Sequence, residues 1–244
     1  MSNLERENSP RFQPLYQQVK EHLIRQIVDG RWAPGAPLPS EAQLGTELGV
    51  SQGTVRKALD EMTAEKVVVR RQGRGTFVAE HSQEQALFHF FRLADEAGVT
   101  PIPASEVLSV TDINPNARVV ELLKLSSTEL VTQISRVRSL SGQPSVYEDV
   151  LLSKALFPGI EAQQPLPNTL YTLYQMHYGF SVLKARERVR AVSANARYAE
   201  ILGIDEGAPL LEVERLAFTI DGNPIELRYS YCNTEKFAYQ VELT

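Results

Sequence analysis

The sequence predicts an α+β protein of two domains: a small helical N-terminal domain, then a larger domain of mostly antiparallel strands. Its 244 residues exceed the roughly 150 residues of an average domain. Helical periodicity dominates the first third of the chain, whereas strand-like runs separated by Gly- and Pro-containing turns dominate the remainder. The predicted boundaries are 1–79 for the first domain, 80–89 for a linker and 90–244 for the second domain.

The composition is that of an ordinary globular protein. Apolar residues make up 43% of the chain, charged residues 23%, and Gly and Pro number 14 each, which excludes collagen-like and wholly disordered chains. The single cysteine, Cys232, excludes an intramolecular disulfide and a zinc site with four cysteine ligands. No apolar run approaches the roughly 20 residues of a membrane span, and residues 1–11 are polar. We therefore expect a soluble, cytoplasmic protein with no membrane partner.

Positive charge is concentrated near the N-terminus of an otherwise acidic chain. The formal net charge is −5, but residues 1–80 carry 11 Lys and Arg against 10 Asp and Glu. Between residues 51 and 78 the balance is 6 basic to 3 acidic residues. An acidic protein with one local basic patch can bind nucleic acid through that patch alone.

Three short helices are predicted at the N-terminal end of the chain. Apolar residues recur every three or four positions between residues 15 and 27, which is typical of an amphipathic helix. Ser40 begins the second helix, where it can form a capping box with Gln43. The second and third helices are separated only by LGVS at 48–51, so they form a helix-turn-helix in which Ser51 caps the third helix.

A β-hairpin is predicted to follow the third helix. Strand-like residues at 66–71 and 76–78 flank a turn with the sequence QGRG at 72–75, which carries Arg74 near its apex. Three helices followed by such a hairpin form a winged helix-turn-helix.

Several motifs in this region, in order and at matching spacing, resemble the DNA-binding domain of GntR-type bacterial transcription regulators. They are PLPSE at 37–41, LGVS at 48–51, TVRKAL at 54–59 and GRGTFV at 73–78. The resemblance covers residues 12–78 and implies a regulator that binds double-stranded operator DNA. The chain departs from the family at Ala42, where members often carry Arg, so one contact usual in the family is missing or is supplied elsewhere.

Polar side chains at the start of the third helix are the candidate DNA-binding residues. This end of the helix enters the major groove in helix-turn-helix proteins. Arg56 can donate two hydrogen bonds to guanine and Gln52 can pair with adenine, whereas Lys57 suits a phosphate. Arg74, between two glycines, suits the narrow minor groove beside the site. The full set is Ser51, Gln52, Thr54, Arg56, Lys57 and Arg74, and each could instead be an ordinary solvated side chain.

The second domain is predicted to be a sheet with helices inserted between strands. Two hairpins resemble each other, since RVR…GQP…YE at 136–148 is echoed at 215–226, and this faint repeat suggests two pseudo-symmetric halves. The predicted strands are 106–112, 130–140, 145–152, 182–194, 210–219, 225–231 and 237–243, and the predicted helices begin near Asn116, Asn168 and Asn195.

Short motifs of this second domain resemble the UTRA effector-binding domain found in the HutC-type branch of GntR regulators, a domain of chorismate-lyase-like fold. They are RVR at 136–138, GQP at 142–144, YE at 147–148, LY at 170–171, YG at 178–179, PLL at 209–211, GNPIE at 222–226 and the aromatic Tyr231. The resemblance implies a small-molecule effector and a homodimer. The alternative all-helical, metal-binding domain of the family does not fit, because the four histidines (His22, His81, His89 and His177) lack ligand spacing. We expect no metal and no cofactor.

Two arginines are the central effector-binding candidates. Arg136 and Arg138 share one face of a predicted strand, so they can form a two-cation clamp for an anion, although either could instead pair with a glutamate across the sheet. Glu148 joins that face if the hairpin loop holds an odd number of residues. A five-residue loop at 141–145 would satisfy this condition, whereas a two-residue loop at 141–142 would turn Glu148 away.

Four further residues complete the predicted effector site. Thr169 and Tyr171 begin a helix whose free amides favour an anion. Glu226 corresponds, by the resemblance, to a second acidic position of the family, and Tyr231 to an aromatic one. Tyr171 and Tyr231 are equally compatible with places in the hydrophobic core.

The segment before Gly98 bears on the class of effector. Sugar-phosphate-sensing relatives carry small hydroxyl residues there, whereas this chain reads FHFFR at 88–92. Aromatic and cationic side chains in place of hydroxyls favour a carboxylate or amino-acid metabolite over a sugar phosphate.

Three functions compete at this point. The leading one is a repressor that a small anionic effector releases from its operator. The second is an enzyme of chorismate-lyase-like fold with a DNA-binding head, which turnover of a bound ligand would reveal. The third is an architectural DNA-binding protein, whose DNA affinity no metabolite would alter. The chain shows no nucleophile–base pair, metal spacing or phosphate loop, so we expect that it is not an enzyme.

Overall fold

A computed structural model describes residues 13–80, 91–163 and 165–242. It divides into two compact units, Met1–Glu80 and His81–Thr244. The predicted linker at 80–89 and residues 88–90 of the FHFFR segment lie outside the described residues, apart from Glu80.

The N-terminal unit is a winged helix-turn-helix, as the sequence predicts. The three helices pack around a core of fully buried side chains from all of them. The elements are α1 (Leu15–Val28), α2 (Glu41–Leu48), α3 (Gln52–Ala64), β1 (Val68–Arg71) and β2 (Gly75–Val78). The core includes Leu23, Leu44, Val55, Leu59 and Met62. Strands β1 and β2 pair antiparallel to form the wing.

Helix caps fix the ends of α2 and the start of α3. The backbone amide of Ser40 donates to Oε1 of Gln43 at 2.9 Å, and the amide of Gln43 donates to Oγ of Ser40 at 3.3 Å, which confirms the predicted capping box. Gly49 ends α2 with a φ of 66°, a left-handed conformation that favours glycine. Ser51 then caps α3 by accepting from the amide of Thr54 at 3.1 Å.

The C-terminal unit is built on a six-stranded antiparallel sheet in the order β4-β5-β6-β9-β8-β7. Its strands are β4 (Ala104–Ile113), β5 (Val131–Leu140), β6 (Gln143–Ser153), β7 (Val182–Ser193), β8 (Pro209–Thr219) and β9 (Pro224–Cys232). A small second sheet pairs β3 (Leu93–Ala94) with β10 (Ala238–Tyr239). The helices are α4 (Ala117–Leu123), α5 (Leu170–Tyr178) and α6 (Ala196–Leu202), and a 3-10 turn spans Ile160–Ala162.

Helices cover both faces of the large sheet. On one face, α4 and α6 bury apolar side chains such as Val119 and Leu202 against β5, β6, β8 and β9. On the opposite face, α5 packs Leu170 and Tyr174 against Ile134 and its neighbours. The α5 face also meets the small β3–β10 sheet, and this second face holds the candidate effector site.

The two halves of the sheet repeat the same topology. Each half contains a strand, a short helix and a hairpin: β4-α4-β5-β6 in the first and β7-α6-β8-β9 in the second. The helices begin alike, since Asn116 accepts from the amide of Val119 at 3.0 Å and Asn195 from that of Tyr198 at 2.9 Å. The faint repeat in the sequence is therefore a repeat of structure, with β6 and β9 paired where the halves meet.

The β5–β6 hairpin has the shorter of the two loops that the sequence left open. The strands are joined by the two residues Ser141 and Gly142, both with positive φ, and not by a five-residue loop. Glu148 nevertheless lies opposite Arg136, because a β-bulge leaves Ser145 without a partner between the pairs Ser139–Pro144 and Arg138–Val146. One extra residue in the strand restores the alternation that the short turn would have reversed.

The β8–β9 hairpin also contains a β-bulge. The register of β8 and β9 shifts between the pairs Phe218–Pro224 and Ala217–Glu226, so one residue of β9 is again left without a partner.

The last strand is shorter than predicted, since β10 comprises two residues rather than the segment 237–243.

Deletion of Ser145 is expected to destabilise the protein severely. Without the bulge, Glu148 moves to the other face and leaves the buried guanidinium of Arg136 without a counter-ion, which costs about 3–5 kcal/mol. Ser145→Ala keeps the register and loses one hydroxyl bond to the carbonyl of Gln143, at 2.9 Å, so it should cost about 1 kcal/mol. Urea unfolding of both variants checks this. Equal midpoints would show that the bulge does not set the register.

Candidate DNA-reading surface and effector cavity

The first turns of α3 bring the predicted base-reading residues together at the surface of the N-terminal unit. Gln52 and Arg56 lie one turn apart, and both bind the same carboxylate, that of Glu41 at the start of α2. Nε of Arg56 donates to Oε2 of Glu41 at 2.9 Å, and Nε2 of Gln52 donates to the same oxygen at 3.3 Å. The hydrogen bond from Arg56 lowers the pKa of Glu41, so this group is a carboxylate at neutral pH. Sequence reasoning missed Glu41, although its place in the PLPSE motif was a signal.

The remaining DNA-binding candidates differ in their surroundings. Ser51 and Thr54 hydrogen-bond to each other through their hydroxyls at 2.8 Å, so both serve the start of α3 as well as facing outward. The ammonium of Lys57 lies 4.0 Å from the centre of the Tyr16 ring, a cation–π contact that leaves the side chain exposed. Arg74 is exposed in the turn of the wing between β1 and β2.

The wing contributes a further cation that was not predicted. Arg70 on β1 reaches Asp60 of α3, with Nη2 2.7 Å from Oδ1, and lies 3.4 Å from Oε1 of Glu41. A groove between the start of α2 and the wing is lined by polar and cationic side chains, including Gln52 and Arg74. The surface therefore presents α3 and the wing side by side, as binding of adjacent major and minor grooves requires.

The C-terminal unit contains a cavity of about 50 Å³ between the large sheet, the start of α5 and the small β3–β10 sheet. Cationic side chains dominate its polar lining, and Phe91, Leu93 and Val213 supply apolar walls. The lining residues are Phe91, Arg92, Leu93, Arg136, Arg138, Val146, Glu148, Asn168, Thr169, Leu170, Tyr171, Val213, Arg215, Arg228, Ser230, Cys232 and Tyr239.

Glu148 is the centre of a buried ionic cluster on the sheet. Nε of Arg136 donates to Oε2 of Glu148 at 2.7 Å, and the hydroxyl of Ser230 donates to Oε1 at 3.2 Å. Nη1 of Arg228 lies 3.6 Å from the same Oε1. Burial alone would raise the pKa of Glu148, but the charges of Arg136, Arg228 and Arg138 outweigh that effect and lower it. The carboxylate therefore stays ionised.

Glu226 lies one layer further from the cavity and connects the cluster to α5. Arg228 binds it through two parallel bonds, from Nε at 3.0 Å and from Nη2 at 2.9 Å. The hydroxyls of Tyr171 and Tyr174 donate to its two oxygens at 3.1 and 2.7 Å. The carboxylate, completely buried, thus accepts four bonds, and it positions the first turns of α5 above the sheet.

Arg138 is the buried arginine with the weakest partners. Its Nη2 donates to Oδ1 of Asn168 at 3.0 Å, whereas Nη1 is 3.8 Å from the carboxylate of Glu148. Its Nε is buried and has no hydrogen-bond partner among the described residues. The guanidinium lies 4.8 Å from the centre of the Phe91 ring. Burial lowers the pKa of Arg138 to about 9, so the side chain remains a cation at neutral pH.

The cavity carries an excess of positive charge. Four buried arginines (Arg136, Arg138, Arg215 and Arg228) face three glutamates, Glu148, Glu187 and Glu226. Glu187 pairs with Arg215 at 2.5 Å and also accepts from the hydroxyl of Tyr239. Arg92 at the rim adds a further cation. An anion beside Arg138 would balance the charge and occupy the unused donor.

The structure brings most of the predicted effector residues together. Arg136, Arg138, Glu148, Thr169 and Tyr171 line the cavity, and Glu226 lies behind it. Tyr231 was placed wrongly. Alternation along β9 turns Ser230 and Cys232 to the cavity and Tyr231 to the opposite face, where its ring stacks on that of Tyr198 with centroids 4.2 Å apart.

Sequence reasoning also missed cavity residues. The alternation that starts at Glu226 predicts Arg228 and Ser230 on the same face, so this signal was present in the strand. Arg215 was seen in the repeat but was not assigned to the site. Asn168 was identified as the start of a helix, and only the fold brings its side chain to Arg138.

The described residues also bear on nucleophilic catalysis, metal binding and membrane insertion. Burial raises the pKa of the Cys232 thiol, which disfavours the thiolate needed for nucleophilic attack. Within residues 13–80, 91–163 and 165–242, no group of three or more His, Cys, Asp or Glu side chains could hold a metal ion. No helix in that part of the chain is long and apolar enough to cross a membrane.

Comparison with known proteins yields matches to both units. Residues 15–78 match the gntR family of bacterial regulatory proteins, and residues 101–238 match the UTRA domain. The histidine utilization repressor of Pseudomonas putida is 32% identical over 83% of this chain and 81% of its own length. The transcriptional repressor NagR of Bacillus subtilis is 28% identical over 93% of both chains.

A crystal structure supports the same assignment for the C-terminal unit. The ligand-binding domain of a protein ascribed to the GntR family of transcriptional regulators in Bordetella bronchiseptica superimposes with a TM-score of 0.60 and 30% identity. The superposition covers 64% of this chain and 98% of that domain. GntR regulators bind operator DNA, and UTRA domains bind small-molecule effectors. The chain belongs to the GntR family of bacterial transcriptional regulators, in the branch whose effector-binding domain is a UTRA domain.

Proposed function

We propose that this regulator is a homodimeric repressor that a small carboxylate metabolite releases from a pseudo-palindromic operator. The observation that carries the proposal is the unused donor of Arg138, in a cavity whose arginines outnumber its glutamates. Two relatives that cover most of the chain bear the name repressor.

DNA recognition is assigned to α3 and the wing. Arg56 and Gln52 would contact base edges in the major groove, Ser51 and Thr54 would support them from the first turn, and Lys57 would bind a phosphate. Arg74, in the turn of the wing, would enter the minor groove.

A carboxylate suits the cavity better than a sugar phosphate. The free volume of about 50 Å³ is small, and Phe91 and Arg92 line it. By the resemblance, sugar-phosphate sensors carry small hydroxyl residues in this segment. Arg136 is committed to Glu148, so Arg138 would be the primary ligand of the anion, with the free amides at the start of α5 beside it. Glu148 and Ser230 would orient polar groups of the ligand.

Release from DNA requires that the effector prefer one arrangement of the two DNA-binding units. A coupling of about 1–3 kcal/mol is typical of such switches. The contact of Arg138 with Phe91 could transmit this preference, because Phe91 lies two residues after the end of the predicted linker at 80–89. We propose release rather than tightening as the sign of the coupling, by the resemblance to the family.

Base reading by Arg56 can be separated from phosphate binding by Lys57. We expect Arg56→Ala to lower the ratio of operator to random-DNA affinity by about 1–3 kcal/mol, because one base contact is lost. Lys57→Ala should weaken both affinities alike. Fluorescence anisotropy with both duplexes checks this, and an equal uniform loss in the two variants would contradict the assignment.

Effector binding is expected to depend on Arg138 while operator binding does not. A thermal-shift screen with small carboxylates, amino acids and sugar phosphates should find a carboxylate that stabilises the protein. Calorimetry with that ligand should show a roughly 10- to 100-fold loss of affinity in Arg138→Ala, the value of a charge-assisted bond.

Arg190→Ala is the matched control, because this exposed arginine on β7 pairs with Glu212 outside the cavity. It should bind the ligand as the wild type does. Unchanged ligand affinity in Arg138→Ala would place the site elsewhere, and stabilisation by a sugar phosphate alone would overturn the assigned class.

The protein is expected to be a dimer at micromolar concentration, both free and on DNA. One winged helix reads only a few base pairs, and a two-fold axis doubles the contact. We assign most of the interface to the C-terminal unit. Sedimentation equilibrium should give twice the chain mass of 27.3 kDa, and a monomer bound to operator would refute the assignment.

A further inference from the structure

We propose that Glu41 is a positioning residue for base reading, which orients Arg56 and Gln52 for the major groove and restrains Arg70 of the wing. Its carboxylate thereby lowers affinity for random DNA and raises discrimination between sequences. The inference rests on the proposed DNA-binding role of α3 and adds to it a residue that itself reads no base.

Glu41 is held rigidly at the place where this role needs it. It is the first residue of α2, directly after the N-cap Ser40, whose reciprocal bonds with Gln43 fix the backbone there. Its side chain is 21% exposed, against 56% for that of Arg56. The carboxylate is therefore the less exposed partner of the pair, and the exposed guanidinium is the group that it orients.

The geometry of the pair leaves the useful edge of Arg56 free. Nε and Nη2 of Arg56 lie 2.9 and 2.8 Å from one oxygen, Oε2 of Glu41. A guanidinium has five N–H groups in one plane, and this contact uses those along its Nε side. The pair of parallel N–H groups at the outer end remains available, and that pair matches the O6 and N7 acceptors of guanine.

The same carboxylate also orders Gln52. One N–H of its amide donates to Oε2 of Glu41 at 3.3 Å. The amide oxygen and the second N–H remain, which are the acceptor and donor that adenine requires. Gln52 and Arg56, the two candidate base-contacting residues, lie one helical turn apart and are thus both oriented by the carboxylate of Glu41.

The contact of Arg70 with Glu41 bears on non-specific binding. This wing cation contacts Oδ1 of Asp60 at 2.7 Å and Oε1 of Glu41 at 3.4 Å, so two carboxylates offset its charge. Release of such a cation would add a phosphate contact on any DNA sequence. Glu41 itself, close to the DNA surface, repels phosphates regardless of sequence.

Stabilisation of the fold is a poor explanation for this arrangement. Ion pairs between exposed side chains contribute little to stability, because water screens them. An ordered side chain, by contrast, loses less conformational freedom when it binds, which favours the one DNA sequence that fits its fixed orientation.

The test compares Glu41→Gln and Glu41→Asp with the matched control Glu47→Gln. Glu47 lies near the opposite end of the same helix and pairs with Arg31, with Nη1 of the arginine 2.6 Å from Oε1. The probes are a duplex that the wild-type protein selects from a randomised library and a duplex of random sequence, each titrated at several salt concentrations.

Glu41→Gln is expected to bind the random duplex about fivefold more tightly. The slope of log affinity against log salt should become steeper by about one phosphate contact. Its ratio of selected to random affinity should fall about tenfold. Glu41→Asp keeps the charge but cannot reach Arg56 in the same geometry, so it should lose discrimination without gaining random-DNA affinity. Glu47→Gln should retain the wild-type ratio.

The outcomes separate the two claims. If the wild-type protein selects no sequence from the library, the DNA-binding function itself is wrong. If selection succeeds and Glu41→Gln keeps the wild-type ratio and salt slope, the positioning role alone is wrong. Parallel losses on both duplexes with a lower melting temperature would mean a structural role and would equally overturn the inference.

Discussion

Four arginines buried on one face of a sheet must find compensation for the water they lose, and much of the C-terminal unit follows from that requirement. Removing an ion from water costs several kcal/mol even after relaxation. Glu148 therefore has to lie opposite Arg136, which fixes the register of β5 and β6 and calls for the bulge at Ser145. Glu226 has to accept hydrogen bonds from Arg228. Two tyrosines of α5 also donate to its carboxylate, and these bonds determine where that helix lies. The ionic cluster thus determines strand register, helix position and cavity wall together.

In the N-terminal unit, contacts between residues close in sequence determine the structure. Helices α2 and α3 begin directly after Ser40 and Ser51, whose side chains accept from amides three residues later, and Gly49 provides the left-handed turn between them. Short helices are marginal on their own, so these caps and the shared core decide where each helix starts. Because Ser40 fixes the start of α2, the side chain of the next residue, Glu41, has a fixed position as well.

Sequence reasoning succeeded where the deciding forces are local. Capping residues and turn glycines act within a few positions, so the helix boundaries near Ser40, Ser51 and Asn195 could be read directly. It left the length of the loop before Ser145 open and did not predict the bulge, because the choice between a longer loop and a short turn with a bulge depends on a partner across the sheet. It misplaced Tyr231, because a motif match was given more weight than strand alternation, which the neighbouring Ser230 obeys. The role of Asn168 was beyond its reach, since Arg138 is distant along the chain.

The unbalanced charge of the cavity has a consequence for the amount of protein that persists. An empty site holds an excess cation at a cost in folding free energy, and a bound anion removes that cost. A ligand at 100 times its dissociation constant adds about 2.7 kcal/mol to the stability of the folded state. Proteases degrade the unfolded fraction, so a change of that size alters abundance several-fold. If a metabolite releases this regulator from DNA as proposed, it would also protect the protein from proteolysis, and the amount of protein available to restore repression would be largest when the metabolite runs out.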